Sequence, residues 1–209
     1  MADINVDETG SCYCGRVQFR VCGAPLFNEI CHCRACSRAR GSSPLHLLGF
    51  DTADFSITKG VYLIKVVPCA GYLLNAPQGD ALPLEHAFCR ECGGFVYQQP
   101  KGCAMRALSP TTFNIEADAD GRVSCALPAH LRPKAHIFYA MRLMDSHDSL
   151  PKYETTSENA NGAPGVRLTN DGAPWDAAQR RTKATQCVSL AAAAAFGAAC
   201  ALLAARSRS

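Results

Sequence analysis

From Ser11 onward apolar and polar residues tend to alternate with a period of two. Val17, Phe19 and Val21 are interleaved with Arg16, Gln18 and Arg20, the signature of a half-buried strand whose successive side chains face opposite sides. Pro25 interrupts, and Phe27-Asn28-Glu29-Ile30 resumes. Leu45 to Phe50 reads as a further strand with His46 inside it. Phe55 to Thr58 and Val61 to Val67 read as a hairpin around Lys59-Gly60. His86-Ala87-Phe88, Phe95-Val96-Tyr97, Thr111 to Ile115 and Ala135 to Ala140 complete the set of expected strands. Ser37 to Arg40 fits one helical turn ended by Gly41, and Asp118 to Gly121 a tight turn. The stretch Pro68 to Leu84 holds three prolines and two glycines, so a long loop is expected there. Short strands without a long amphipathic helix predict a mainly β, antiparallel fold.

Composition bounds the organisation. A chain of 209 residues, 48% of them hydrophobic, suits one domain with tails. Residues 1–8 read as a disordered lead-in and 9–155 as the folded domain. After Glu154 the text turns to Asn, Gly, Pro, Thr and Ser, so 156–183 is expected to be a flexible linker. Residues 184–209 form an alanine-rich tail. Ten of the nineteen residues from Cys187 to Ala205 are alanine, and no charge occurs between Ala184 and Ala205. Its length suits a membrane anchor, while its composition equally suits an alanine-rich helix. A formal net charge of +3 gives no reason to expect a nucleic-acid partner. No secretory signal is visible in MADINVDETG. The expected location is therefore cytoplasmic, with tail anchoring to an intracellular membrane as the alternative.

The thirteen cysteines change the picture. Without a signal for export they point to metal binding instead of disulfides. Seven are clustered: Cys12-Tyr13-Cys14-Gly15, then Cys31-His32-Cys33-Arg34-Ala35-Cys36, then Cys89-Arg90-Glu91-Cys92-Gly93-Gly94. Zinc–thiolate bonds of about 2.3 Å require converging sulfurs, and C-x-C-x2-C achieves that within six residues. Cys31, Cys33 and Cys36 chelate without long-range closure, which leaves Cys12, Cys14, Cys89 and Cys92 as a closed four-thiolate set. Glycine after Cys14 and after Cys92 fits turns that aim backbone N–H groups at thiolates. A three-thiolate site leaves one position for an exogenous ligand, as a catalytic zinc requires. Alternatively His32, His46, His86 or His136 completes it and makes it structural. Both readings stand on spacing. The isolated Cys22, Cys69, Cys103, Cys125, Cys187 and Cys200 read as filler, and His136 as a hydrogen-bonded core histidine. Arg34, Arg38 and Arg40 beside the second group suit a ligand with carboxylates.

GSCYCGRVQFRV (10–21), CHCRAC with Arg38 and Gly41, HAFCRECGGFVY (86–97) and AHIFYAMRLMDSHDSLPKYE (135–154) together resemble the glutathione-dependent formaldehyde-activating enzyme family, which includes centromere-protein-V-like proteins. The resemblance implies a β-tent of antiparallel strands around two zinc ions. It assigns a structural zinc to Cys12, Cys14, Cys89 and Cys92, and a catalytic zinc to Cys31, Cys33 and Cys36. It further implies a zinc-dependent carbon–sulfur lyase acting on glutathione adducts, of the S-(hydroxymethyl)glutathione synthase type, with a small-molecule thiol partner. The alternative is a non-catalytic zinc module for protein or chromatin partners.

Overall fold

The computed structural model describes residues 5–69, 84–115, 127–158 and 162–176. The chain is mainly β. A three-stranded antiparallel sheet is formed by β1 (Val6–Ser11), β2 (Gln18–Gly23) and β5 (Phe55–Lys59), in that order. A second, nine-stranded sheet contains β3 (Phe27–Cys31), β4 (Leu45–Asp51), β6 (Ile64–Cys69), β7 (Leu84–Cys89), β8 (Phe95–Pro100), β9 (Met105–Leu108), β10 (Ala135–Ile137), β11 (Lys152–Tyr153) and β12 (Arg167–Leu168). Its strand order is β12-β11-β10-β3-β4-β9-β8-β7-β6. Most pairs are antiparallel, but β10 runs parallel to both β3 and β11, so the larger sheet is mixed.

The alternation in β2 is realised as expected. Val17, Phe19 and Val21 are fully buried while Gln18 and Arg20 face solvent. Phe19 packs on Phe55 at 5.5 Å and on Phe113 at 6.1 Å between ring centroids. These rings join Leu48, Phe50, Val96 and Leu108 in the main core, so the two sheets share one apolar interior. A smaller cluster gathers Leu45, Leu47, Ile137 and Ala35 around Cys31, Cys33 and Cys36. The helix α1 (Arg34–Arg40) lies over this cluster and ends at Gly41 in the left-handed region, φ 64°.

Several expectations are corrected. Residues 1–8 are not all lead-in: Val6 to Glu8 open β1, and Val6 is fully buried. Residues 55–67 do not form a hairpin: β5 pairs with β2 in the small sheet, whereas β6 pairs with β7 in the large one. Gly60, at φ 73°, turns the chain between sheets, and a Cβ there would collide with the carbonyl oxygen of Arg16. Lys59-Gly60 thus marks a turn, but Phe55 is drawn to the Phe19 ring instead of to its sequence neighbour. The segment expected as a strand at Thr111 to Ile115 begins with a 3₁₀ turn over Pro110–Thr112, because proline opens a helical turn well and cannot donate to a ladder. Only Phe113 bridges, to Gly10. Finally, the stretch read as linker carries β12, where Leu168 is buried and the Tyr139 hydroxyl donates to the Asn170 carbonyl at 2.6 Å. The expected loop between Pro68 and Leu84 contributes strand at both ends. Its residues 70–83 lie outside the described residues, as do the turn at 118–121 and the tail at 184–209. No helix among the described residues is long and apolar enough to cross a membrane.

Because Phe19 is fully buried between two aromatic rings, Phe19→Ala is expected to cost about 3–5 kcal/mol, read as a lower urea midpoint. A loss below about 1 kcal/mol would mean the sheets do not share a core through this ring.

Candidate metal centres

The first group is built where β1 ends and where β7 turns into β8. Cys12, Cys14, Cys89 and Cys92 present sulfurs that all lie within 4.8 Å of one another, with Cys12 to Cys14 at 3.6 Å and Cys14 to Cys89 at 4.0 Å. Four sulfurs around a tetrahedral zinc stand about 3.8 Å apart, so the set fits. Gly15 and Gly93 take φ 70° and 68°, and their N–H groups donate to the carbonyls of Cys12 and Cys89 at 3.0 and 2.9 Å. The two tight turns this produces also aim donors at sulfur: Val17 N–H at Cys12 and Gly94 N–H at Cys92, both at 3.3 Å. A side chain at Gly94 would press on the Tyr13 backbone nitrogen at 2.8 Å, so the two turns face each other closely. Burial opposes ionisation of Cys92, yet the N–H groups of Gly94 and Cys14 outweigh it and bring the thiol down to about 7.

The second group sits at the end of β3 and the start of α1. Cys31, Cys33 and Cys36 are all buried, with sulfurs within 4.8 Å of one another. Cys33 caps α1, its sulfur accepting from Cys36 N–H at 3.4 Å. Cys31 accepts from Cys33 N–H at 3.5 Å. Hydrogen bonds from Cys31 and Cys36 hold the Cys33 thiol well below its ordinary range. Bonds to Cys33 and Cys36, reinforced by burial, push Cys31 far up. One thiolate is tolerated here and three are not, unless a cation neutralises them. Soft sulfur donors at this spacing suit zinc among the biological metals.

The histidines do not join these sulfurs. Among the described residues no histidine or carboxylate donor lies within 4.8 Å of all three. His46 instead pairs with Asn28 Oδ1 at 2.6 Å. His32 turns away from its cysteine neighbours, as alternation requires. Its Nε2 meets His136 Nδ1 at 2.8 Å, His136 Nε2 meets Asp148 Oδ2 at 2.8 Å, and Asp148 Oδ1 accepts from Lys152 Nζ at 2.8 Å. Lys152 is 2% exposed and donates to the carbonyls of Asp148 and Leu150 as well. Burial lowers His32 to about 4, so it is neutral at pH 7. The expectation of a hydrogen-bonded core histidine at 136 holds. Phe138, at φ 52°, turns the chain after β10 so that the Tyr139 ring stands edge-on to His32 at 5.0 Å.

Sequence reasoning missed Gln98. It is buried on β8 and its amide nitrogen donates to Cys36 sulfur at 3.4 Å; a lone polar residue in a strand gives no local signal. Beside the three sulfurs lies a cavity of about 280 Å³, walled by Ala35, Arg38 and Ala39 of α1, Val67 and Pro68 of β6, and His86 and Phe88 of β7. His86 Nε2 is buried without a partner, and so is Arg40 Nη1. Such atoms each cost about 1–3 kcal/mol if left unsatisfied. Arg40 lies over the Phe95 ring at 3.2 Å, and burial lowers it to about 10. Arg34 and Arg38 occupy the exposed face of the helix.

A family model described as glutathione-dependent formaldehyde-activating enzyme matches residues 7–141. No curated protein matches the chain. Among solved structures, a crystal structure of a Rhodobacter sphaeroides protein is 20% identical and aligns over 54% of this chain and 93% of that one, with a TM-score of 0.38.

Two outcomes follow from the geometry. Cys92→Ser opens the set that ties β1 to the β7–β8 turn, so it is expected to unfold the domain as its metal is lost. Cys33→Ser is expected to lose the other metal with the β-sheet signal retained. Metal analysis with circular dichroism checks both, and equal melting of the two variants would contradict this division. Asp148→Ala leaves Lys152 buried without its carboxylate and is expected to cost about 3 kcal/mol, measured by urea unfolding.

Proposed function

Since the chain belongs to the glutathione-dependent formaldehyde-activating enzyme family, we propose that it joins a thiol such as glutathione to an aldehyde and splits the same adduct in reverse, as a carbon–sulfur lyase. Cys31, Cys33 and Cys36 would hold a catalytic zinc ion, and Cys12, Cys14, Cys89 and Cys92 a structural one. A zinc ion held by Cys31, Cys33 and Cys36 would lower the pKa of a thiol, so that it would react as thiolate at neutral pH. The observation that carries this reading is the donor count: three sulfurs within 4.8 Å of one another, joined among the described residues by no histidine or carboxylate.

The chain's own groups do the rest. The Gln98 amide and the N–H groups of Cys33 and Cys36 fix the three sulfurs. Arg34 and Arg38, one turn apart on the exposed face of α1, offer positive charge to the carboxylates of the thiol. The adjacent cavity receives the carbonyl partner, and holding both reactants together makes their encounter effectively intramolecular. Sulfur adds to the carbonyl carbon, and the proton released from the thiol ends on the carbonyl oxygen. A reducing compartment such as the cytoplasm would keep the clustered thiols from oxidising.

Titrating glutathione into the zinc-loaded full chain is expected to give a saturable heat that Cys33→Ser abolishes, and adduct formation followed by NMR is expected to accelerate only with the unaltered protein. An absence of both heat and rate effect would remove this function.

A further inference from the structure

Formaldehyde leaves most of the cavity beside the three sulfurs unused. With two heavy atoms it fills roughly the space of two waters, about 60 Å³, against about 280 Å³ available. A cavity of roughly 150 Å³ lined by aliphatic side chains already admits benzene. Most of the lining offers no partner to glutathione, which carries two carboxylates and an ammonium group: Ala35, Ala39, Val67, Pro68 and Phe88 are apolar. The charged lining residue Arg38 is exposed, so with the equally exposed Arg34 it serves the charged thiol at the mouth of the cavity and leaves the apolar walls to the other reactant.

Besides the exposed Arg38, one buried polar atom interrupts the apolar wall. His86 is 2% exposed, lines the cavity, and its Nε2 has no hydrogen-bond partner. Buried polar atoms are normally satisfied, so an orphan on a residue that lines a cavity marks where a ligand atom belongs. The ring is fixed by stacking on Phe88 at 6.2 Å. Ala35 stands in the sequence between Cys33 and Cys36, which places the wall it forms directly beside the reacting centre. Val67 is 39% exposed, so small molecules reach the cavity from solvent.

We infer that the carbonyl substrate of this chain is an aldehyde with an apolar substituent, of about four to eight carbons, seated between α1 and β6–β7 with its oxygen hydrogen-bonded to His86 Nε2. This rests on the reaction proposed above and names its substrate class. The chemistry balances without a further reactant. The thiol S–H bond breaks, the S–C bond forms, the carbonyl π pair moves onto oxygen, and that oxygen takes up the proton; cleavage runs the steps backwards. His86 is a binding residue that selects and orients the oxygen, while the apolar wall selects the substituent.

Two measurements on the zinc-loaded full chain test it. Benzyl alcohol, a non-reacting probe, is expected to bind with a saturable heat in the unaltered protein and at least tenfold more weakly in Ala39→Phe, which fills the cavity. Val67→Phe, at the exposed rim of an edge strand, serves as a second filling variant, and metal content with circular dichroism confirms that each is folded. In the second measurement, acceleration of adduct formation with glutathione over the uncatalysed rate is expected to be at least tenfold greater for butanal or benzaldehyde than for formaldehyde. Both variants are expected to reverse that preference. No saturable heat with benzyl alcohol, or equal or greater acceleration with formaldehyde, overturns the inference and leaves the proposed reaction standing. No acceleration with any aldehyde overturns both.

Discussion

Seven sulfurs held in two tight groups impose an electrostatic constraint on everything around them. Two thiolates about 4 Å apart repel by roughly 4 kcal/mol even at an effective dielectric constant of 20, and each group contains several such pairs. Backbone N–H groups soften this at Cys12, Cys31, Cys33 and Cys92 but cannot remove it. Each group could therefore hold a cation, which would neutralise that repulsion. Positive-φ glycines, facing turns and the cysteine cap of α1 serve that arrangement, and the strands bring its parts together.

The two groups divide the work by where they sit. Cys12 and Cys89 belong to the main apolar core, so the four-sulfur set is a clamp between the start of the domain and the β7–β8 turn. Arg16 and Glu91 join the same turns at 2.7 Å, but both side chains are exposed and such pairs contribute little. Cys31, Cys33 and Cys36 belong to the smaller cluster under α1, beside a cavity and a layer of histidine. One group closes the fold, and the other borders space that a ligand can enter.

Much of the site was legible in the sequence because its ligands are grouped locally. C-x-C, C-x-C-x2-C and C-x2-C-G-G fix which sulfurs are near each other without knowledge of the fold. The strand at Val17 to Val21 was legible for the same reason, since alternation is a local property. Pairing was not. Phe55 turns to β2 and Val67 to β7 because of ring and strand contacts that no adjacent residue announces. Gln98 is separated from Cys36 by 62 positions and His32 from His136 by 104; contacts at that range leave no periodicity to read. The parallel pairing of β10 with β3 escapes for the same reason, since a long excursion separates the two strands. In the stretch read as linker, a composition rich in Asn, Gly, Pro and Thr hid the one leucine that seats β12.

The run from His32 through His136 and Asp148 to Lys152 also orders events in time. All four residues of the clamp have been synthesised once Cys92 is made, whereas the three-sulfur group waits for a brace some sixty residues further along. On a ribosome the four-sulfur set would be able to close while the three-sulfur group still lacks support. By topology alone the four-sulfur set would be complete early, and the three-sulfur group would gain its full surround only when β10 and β11 have docked.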